Sequence, residues 1–490
     1  MLLQTSPTPT ATRTHGPWAQ RFHLMPQAGW LNDPNGLCQK DGTFHAYFQN
    51  SPDQVDGGLK HWGHATSRDL VRWEPDGVVL SPDTPYDAQG VYSGSAQVHD
   101  GRIWAFYTGN VKHASHEVAF DYVTSGRDAN VLLATSDDGS HFGPKQLLLT
   151  PADYPAHLTC HVRDPKVFAS PYAQGPAYLM LLGARAKGLD RAHDRGELLV
   201  FGSEDLTRWR LENQIVSPEP MGYMWECPDF LGLGTTSATS AENRCPQKEP
   251  LNLLSVSPQG LEGPEAGSNV YPSGYMAFAG SLVGAYELGR FHLWDGGFDF
   301  YAPQTFMAQD GRCILIGWMG MPDCPQHRNP TVSCGWQHCF TVPREVVTDG
   351  AQVFQRPVRE LYDYRSSLWL GDGSLQVSGV PCFDLEIARI VDSQCSVTVA
   401  GGLTVSYDQT SHEIVVSFED RLAESLGGGR GERRLAAPAL TSLRILGDAS
   451  SVEVFCNGGA QVFSSRYYPR SYSVQASAPK AAIRCWQLDV

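Results

Sequence analysis

At 490 residues the chain has room for two or three domains, and 41% hydrophobic with 18% charged residues is the composition of a water-soluble globular protein. A net charge of −15 argues against nucleic acid and against an anionic membrane surface as partners. No stretch nears the roughly 18 consecutive apolar residues of a membrane-spanning helix, and the 12 cysteines, without regular spacing, read as reduced thiols of a cytoplasmic protein.

Residues 1–19 read as a disordered leader. Met1 to Gly16 is rich in Thr and Pro and lacks the basic stretch and apolar core of a secretory signal. Next comes Trp30-Leu31-Asn32-Asp33-Pro34-Asn35-Gly36, with aromatics close by in sequence (Phe22, Phe44, Tyr47, Phe48). Pro34 pushes Asp33 toward extended geometry, and Asn-Gly favours a tight turn. A carboxylate at such a rigid junction is well placed to act on a substrate. Taken alone, the same residues also describe an ordinary surface turn.

Three later segments resemble one another: Ala65–Trp73, Ala134–Phe142 and Phe201–Trp209. Each carries an apolar run, a serine (Ser67, Ser136, Ser203), an acidic turn and then an aromatic. The spacing, near 68 residues, is too long for one hairpin and fits a four-stranded sheet repeated radially, the blade of a β-propeller. Residues 20–345 then hold about five such units. Strand candidates between the copies are Phe44–Gln49, Ile103–Thr108, Ala177–Gly183, Tyr275–Gly280 and Cys313–Trp318. The stretch 346–362, flanked by Pro343 and containing Pro357, reads as a linker. From 363 to 490 short alternating strands return. Leu403–Tyr407 with Glu413–Phe418, and Val452–Cys456 with Gln461–Ser465, read as hairpins of a β-sandwich. Gly427-Gly428-Gly429-Arg430-Gly431 follows no strand and opens no helix, so it reads as a flexible loop. The fold class is all-β.

Two further acids join Asp33. In Arg163-Asp164-Pro165 an acid again precedes proline, and an arginine precedes the acid. In Trp225-Glu226-Cys227-Pro228-Asp229 a glutamate stands between Trp and Cys, an apolar setting suited to a general acid. Paired carboxylates with aromatics are the equipment of glycoside hydrolysis. A propeller explains how acids so far apart in sequence meet, because its innermost strands face one axial funnel.

With these residues in order, the chain resembles glycoside hydrolase family 32, the invertases and related β-fructofuranosidases. Trp30–Gly36, Arg163-Asp164-Pro165 and Glu226-Cys227 match the family's nucleophile, transition-state-stabiliser and acid/base motifs. Tyr47-Phe48-Gln49, His61-Trp62-Gly63-His64-Ala65, Tyr92-Ser93-Gly94-Ser95, Asp299–Phe306 and Gly317–Met321 lie around them, and the likeness extends to Val452-Glu453-Val454-Phe455. Tyr92 stands where Phe is frequent. The resemblance implies a five-bladed propeller followed by a sandwich, with retention of configuration. It assigns Asp33 as nucleophile, Glu226 as acid/base and Asp164 as stabiliser. It places Asn32, Gln49, Trp62, Ser93, Arg163, Tyr301 and Trp318 around a terminal fructose of sucrose or a short fructan. It implies no metal and no cofactor.

A zinc reading of His157-Leu158-Thr159-Cys160-His161 or of Cys324-Pro325-Gln326-His327 lacks the helix that its spacing needs. Three rivals keep the fold: fructosyl transfer to sugar, hydrolysis of phosphorylated sucrose, and a non-catalytic fructan-binding propeller. A propeller hydrolase for arabinose or xylose is a fourth. A phosphorylated substrate calls for cations near the leaving-group rim, with Lys60, Lys112, Arg127 and Arg185 as candidates. The long stretch Val111–Asn130 is a candidate rim loop. Composition leaves a homo-oligomer open.

Overall fold

The structure is a computed structural model that describes residues 15–113, 121–234, 251–263 and 267–490. Five antiparallel sheets follow one another along the chain. Their first strands are Gly29–Lys40, Val91–His99, Leu158–Ala169, Met224–Leu233 and Tyr301–Met307. These five lie side by side around one axis, and each blade is built outward from them. In the innermost strands most side chains are buried on both faces, as expected of strands enclosed by neighbours. The ring closes when Trp336–Gln337, leaving the fifth blade, pairs in parallel with Gly29 and Trp30 of the first.

The sequence repeat is the turn after the third strand of blades one to three. Those strands are His61–Ser67, Arg127–Ser136 and Arg195–Ser203. In each, the terminal serine hydroxyl bonds an aspartate two residues on and accepts the backbone N–H three residues on (Leu70, Gly139, Leu206) at 2.8–2.9 Å. The aspartate (Asp69, Asp138, Asp205) then accepts the next two free N–H groups. The turn puts its fourth residue at positive φ, which Leu70 and Leu206 tolerate and Gly139 takes freely.

Two expected boundaries shift. Arg344–Thr348 and Val353–Pro357 form the outer two strands of the fifth blade, so most of the stretch read as a linker belongs to the propeller. Prolines at 343 and 357 misled because they flank an outermost strand pair, where a missing N–H is tolerated. Only the short turn Arg359–Tyr364 separates this blade from the next strand. Of the expected leader, residues 1–14 lie outside the described residues. Residues 15–19 are docked: Trp18 Nε1 donates to the Pro469 carbonyl, and Trp336 Nε1 to that of His15. Of the expected rim loop Val111–Asn130, residues 114–120 lie outside the described residues, and its two ends belong to the paired strands Arg102–Lys112 and Arg127–Ser136.

The second domain is one ten-stranded sheet folded over on itself. Its longest strand, Ser473–Leu488, pairs along one edge with Arg365–Ser378. Its other edge pairs first with Ser396–Val399 and then with Phe383–Ala388. The strand therefore passes from one layer to the other, and both layers close on a core that includes Leu385, Val397, Ile414, Val454 and Ile483. Buried ionic groups join the domains. His23 lies between Asp448 and Glu453, 2.9 Å from each, and Arg344 bridges Glu453 and Asp295.

Candidate active site

The axial funnel opens on a pocket of about 250 Å³ that takes residues from all five blades. Asp33, Ser93, Asp164, Glu226 and Tyr301 come one from each innermost strand. Each lies at or beside an irregularity. Pairing in the first blade slips between Leu31 and Pro34, in the fourth between Glu226 and Asp229, and Asp164, Cys227 and Ala302 have positive φ. Such kinks re-aim a side chain out of a ladder.

Asp33 is held by a relay. Trp30 Nε1 donates to Asn32 Oδ1 at 2.8 Å, and Asn32 Nδ2 donates to Asp33 Oδ1 at 3.0 Å. Gln49 Nε2 donates to Ser93 Oγ, whose hydroxyl donates to Asp33 Oδ2 at 2.5 Å. Burial pushes the Asp33 carboxyl above its usual range, while the Ser93 and Asn32 donors pull it back. Asp164 is buried deeper. The Cys227 backbone N–H donates to its Oδ2 at 2.9 Å, and the Cys227 thiol lies 3.7 Å from both Asp164 and Asp33. Burial drives Asp164 upward, Arg163 opposes that, and the charges of Glu226 and Asp33 add to it.

Glu226 is not in the apolar setting that Trp225 and Cys227 suggested. Neighbours on a strand point to opposite faces. Trp225 goes fully into the core between blades, and Cys227 turns toward the acids. Glu226 itself faces the cleft. Arg163 reaches its Oε1 through Nε at 3.1 Å and Nη2 at 2.7 Å, and the Tyr301 hydroxyl donates to Oε2 at 2.6 Å. Both oxygens are held, so the carboxyl has one orientation.

Of the ten residues expected here, nine line the pocket and one does not. Trp62 is fully buried behind it, between the first two blades, and its Nε1 supports the Tyr92 carbonyl at 3.0 Å. It braces the Ser93 strand instead of touching the cavity. The pocket also includes Trp30, Tyr92, Gln259, Pro322, Lys60 and Arg127. Gln259 and Pro322 carry no motif that a sequence reading could use. Of the four cations considered, Arg185 is tied to Asp194, and Lys112 sits over the Tyr122 ring. Lys60 and Arg127 reach the pocket wall. His157 and Cys160 lie on or beside the extended third inner strand, and His157 pairs with Glu197.

Family models match both domains: the glycosyl hydrolases family 32 N-terminal domain over residues 23–357, and its C-terminal domain over 390–483. The chain belongs to glycosyl hydrolase family 32, and it is a glycoside hydrolase. Among relatives of this family 32 chain is the sucrose-6-phosphate hydrolase of Bacillus subtilis, 36% identical over 94% of this chain and 92% of that one. The raffinose invertase of Escherichia coli is 35% identical, covering 97% and 95%. Among solved structures, sucrose-6-phosphate hydrolase from Lactobacillus gasseri superposes with a TM-score of 0.81 at 26% identity, over 97% of this chain and 94% of that one. A Bombyx mori β-fructofuranosidase variant in complex with sucrose gives 0.78 at 28%, over 96% and 94%.

Proposed function

We propose that this family 32 enzyme is a retaining β-fructofuranosidase. Asp33 attacks the anomeric carbon of a terminal fructose and forms a covalent fructosyl-enzyme. Glu226 protonates the leaving oxygen and then, as base, activates the water that frees fructose. Asp164 and Arg163 hold sugar hydroxyls and steady the positive charge that develops on the ring. The observation that carries this is the pairing of two unlike carboxyls in one pocket. Asp33 is pre-set by Ser93 and Asn32, and Glu226 is oriented from both sides by Arg163 and Tyr301. Retention needs the two carboxyls roughly 5–5.5 Å apart. The test is product analysis on sucrose, sucrose 6-phosphate, kestose and inulin. Free fructose, released first as the β anomer, is expected. Release from none of them, or α anomer first, overturns the reading. All eleven described cysteines are free thiols, which supports a cytoplasmic home.

A second reading, phosphorylated sucrose as the preferred substrate, is favoured by Lys60 and Arg127. Among the described residues neither has an acidic hydrogen-bonding partner. Lys60 Nζ lies over the Trp30 ring at 5.1 Å, and burial lowers its pKa to about 8 despite the pull of Asp33. Among the described residues Arg127 Nε is buried without a partner. A phosphate on the leaving group supplies the missing acceptor. Replacing either cation by Met then lowers kcat/KM roughly tenfold or more for sucrose 6-phosphate and much less for sucrose. Equal losses on both substrates overturn this preference.

A further inference from the structure

All five innermost strands carry the same irregularity. Pairing skips between Leu31 and Pro34, between Val91 and Gly94, between Arg163 and Lys166, between Glu226 and Asp229, and between Tyr301 and Gln304. In each, three steps along the inner strand oppose two on its neighbour, as Glu226 and Asp229 oppose Ser257 and Ser255. One extra residue per strand is a β-bulge, here repeated around the axis. Asp33, Ser93, Asp164, Glu226 and Tyr301 each fall in one of these intervals. The bulge aims their side chains, and it also takes them out of the ladder that would hold them. Their precision has to come from where the ladder resumes.

At that level a belt of buried polar bonds crosses from blade to blade. Asn35 of the first blade accepts the Gly94 N–H of the second at 3.2 Å. Ser95 Oγ donates to the Pro165 carbonyl of the third at 2.8 Å and accepts the Val167 N–H at 2.9 Å. Gln304 Nε2 of the fifth blade donates to the Gly94 carbonyl at 3.1 Å. Lys166 is the hub. Its Nζ donates to Asp229 Oδ2 of the fourth blade at 3.0 Å and to the Thr305 carbonyl of the fifth at 2.5 Å. Thr305 closes the triangle, giving its N–H and its hydroxyl to the same Asp229 oxygen at 2.6 and 3.0 Å. Both charges are buried, with Lys166 8% and Asp229 0% exposed. Lys166 and Asp229 are also the residues at which pairing resumes in their own blades. Past the belt the axis opens again, into a cavity of about 450 Å³ that Lys166 and Thr305 line with Leu37, Ala96, Leu231 and Phe306. The belt therefore spans the axis between two open spaces.

We propose that this belt, with Lys166 as its hub, positions the catalytic carboxyls: it sets the spacing of the strands that carry Asp164, Glu226 and Tyr301. Lys166 is a positioning residue, acting through Asp229 and Thr305. The proposal rests on the fructosidase reading above. Three variants of the full chain test it. Lys166→Met keeps the stem and removes the ammonium, which leaves the Asp229 charge buried with neutral donors only. Lys166→Met with Asp229→Asn removes both charges and so relieves that cost. Gln304→Leu cuts the bond between the fifth and second blades without stranding a charge. Kinetics are measured far below the melting temperature, on whichever of sucrose and sucrose 6-phosphate the unmodified enzyme cleaves faster, with circular dichroism to confirm folding. We expect kcat to fall about tenfold or more in Lys166→Met, with KM within about threefold, because small misplacements of reacting groups are costly. In the double variant the melting temperature should recover while kcat stays low. Gln304→Leu should lower kcat about threefold or more. A folded Lys166→Met with kcat within about twofold of the unmodified enzyme overturns the proposal. So does a kcat that recovers together with the melting temperature in the double variant, since the ion pair then serves the fold alone. If neither Lys166 variant folds, Gln304→Leu decides, and an unchanged kcat there overturns the belt's role. If the unmodified enzyme frees fructose from neither sugar, the fructosidase reading fails and the belt's catalytic role with it.

Discussion

Asp33 and Glu226 differ in their partners more than in their chemistry. Asp33 receives neutral donors, Ser93 and Asn32, and Glu226 receives a cation and a phenol. We expect Glu226→Gln to lower kcat roughly 10²- to 10⁴-fold, and Asp33→Asn by about 10⁴-fold or more, since no covalent intermediate can form. Circular dichroism should show both folded, and near-normal sucrose turnover by either would remove its role. Ser93→Ala tests the relay more finely. Burial already pushes Asp33 up, and the Ser93 hydroxyl is the strongest force lowering it. Its loss should move the acidic limb of the kcat/KM profile to higher pH, because more of the nucleophile is protonated at a given pH. A shift to lower pH, or none, would contradict the assigned hydrogen bond.

At the scale of elements, the repeated serine-aspartate turn shows how one local solution serves three blades. Its serine is nearly buried, and it satisfies a backbone N–H that the strand has just released. Ser67→Ala leaves the buried Leu70 N–H unpaired and should cost about 1–3 kcal/mol. Gly139→Ala should cost a similar amount, roughly 1–3 kcal/mol, because the residue has positive φ and a new Cβ would crowd the His45 ring at 2.6 Å. Urea unfolding measures both, and a loss under about 0.5 kcal/mol in each would show that the turn is not under tension. These turns were legible in the sequence because they are local: a hydroxyl, a carboxylate and three free N–H groups within six residues. The linker was misread for the complementary reason. Arg344–Thr348 and Val353–Pro357 become blade strands only because Cys313–Trp318 lies beside them.

For the whole molecule, the buried groups between the domains set the pH range of stability. Burial alone would lower the His23 pKa, but Asp448 and Glu453 more than offset this and raise it. The stability this gives is complete below the unfolded value of about 6.5 and is lost as pH rises through the folded pKa. Asp448 and Glu453 behave oppositely. Burial raises them, their partners pull them lower still, and their contribution is lost as pH falls through the folded values. The melting temperature should therefore be highest between about pH 5 and 6.5. His23→Gln should remove most of the fall on the alkaline side. Calorimetry across this range checks it, and an unchanged alkaline slope in the variant would exclude His23 as the cause.

All-β architecture, five blades and a sandwich could be read from the chain because period-2 patterning, turn chemistry and a repeat near 68 residues are written in neighbouring residues. The three acids were legible for a similar reason, since each sits in a short rigid motif beside proline or cysteine. What surrounds them was not legible. Trp62 lies in a matching motif yet faces the core, because a strand's facing is set by the sheet it joins. Glu226 has apolar neighbours in sequence and polar ones in space. Lys60 and Arg127 were two cations among 37 until folding turned them to the pocket. Arg430 and Asp299 stand 131 residues apart and meet only because one domain docks on the other. Local chemistry needs only neighbours in the chain, whereas the shape of a pocket depends on contacts between residues far apart in it.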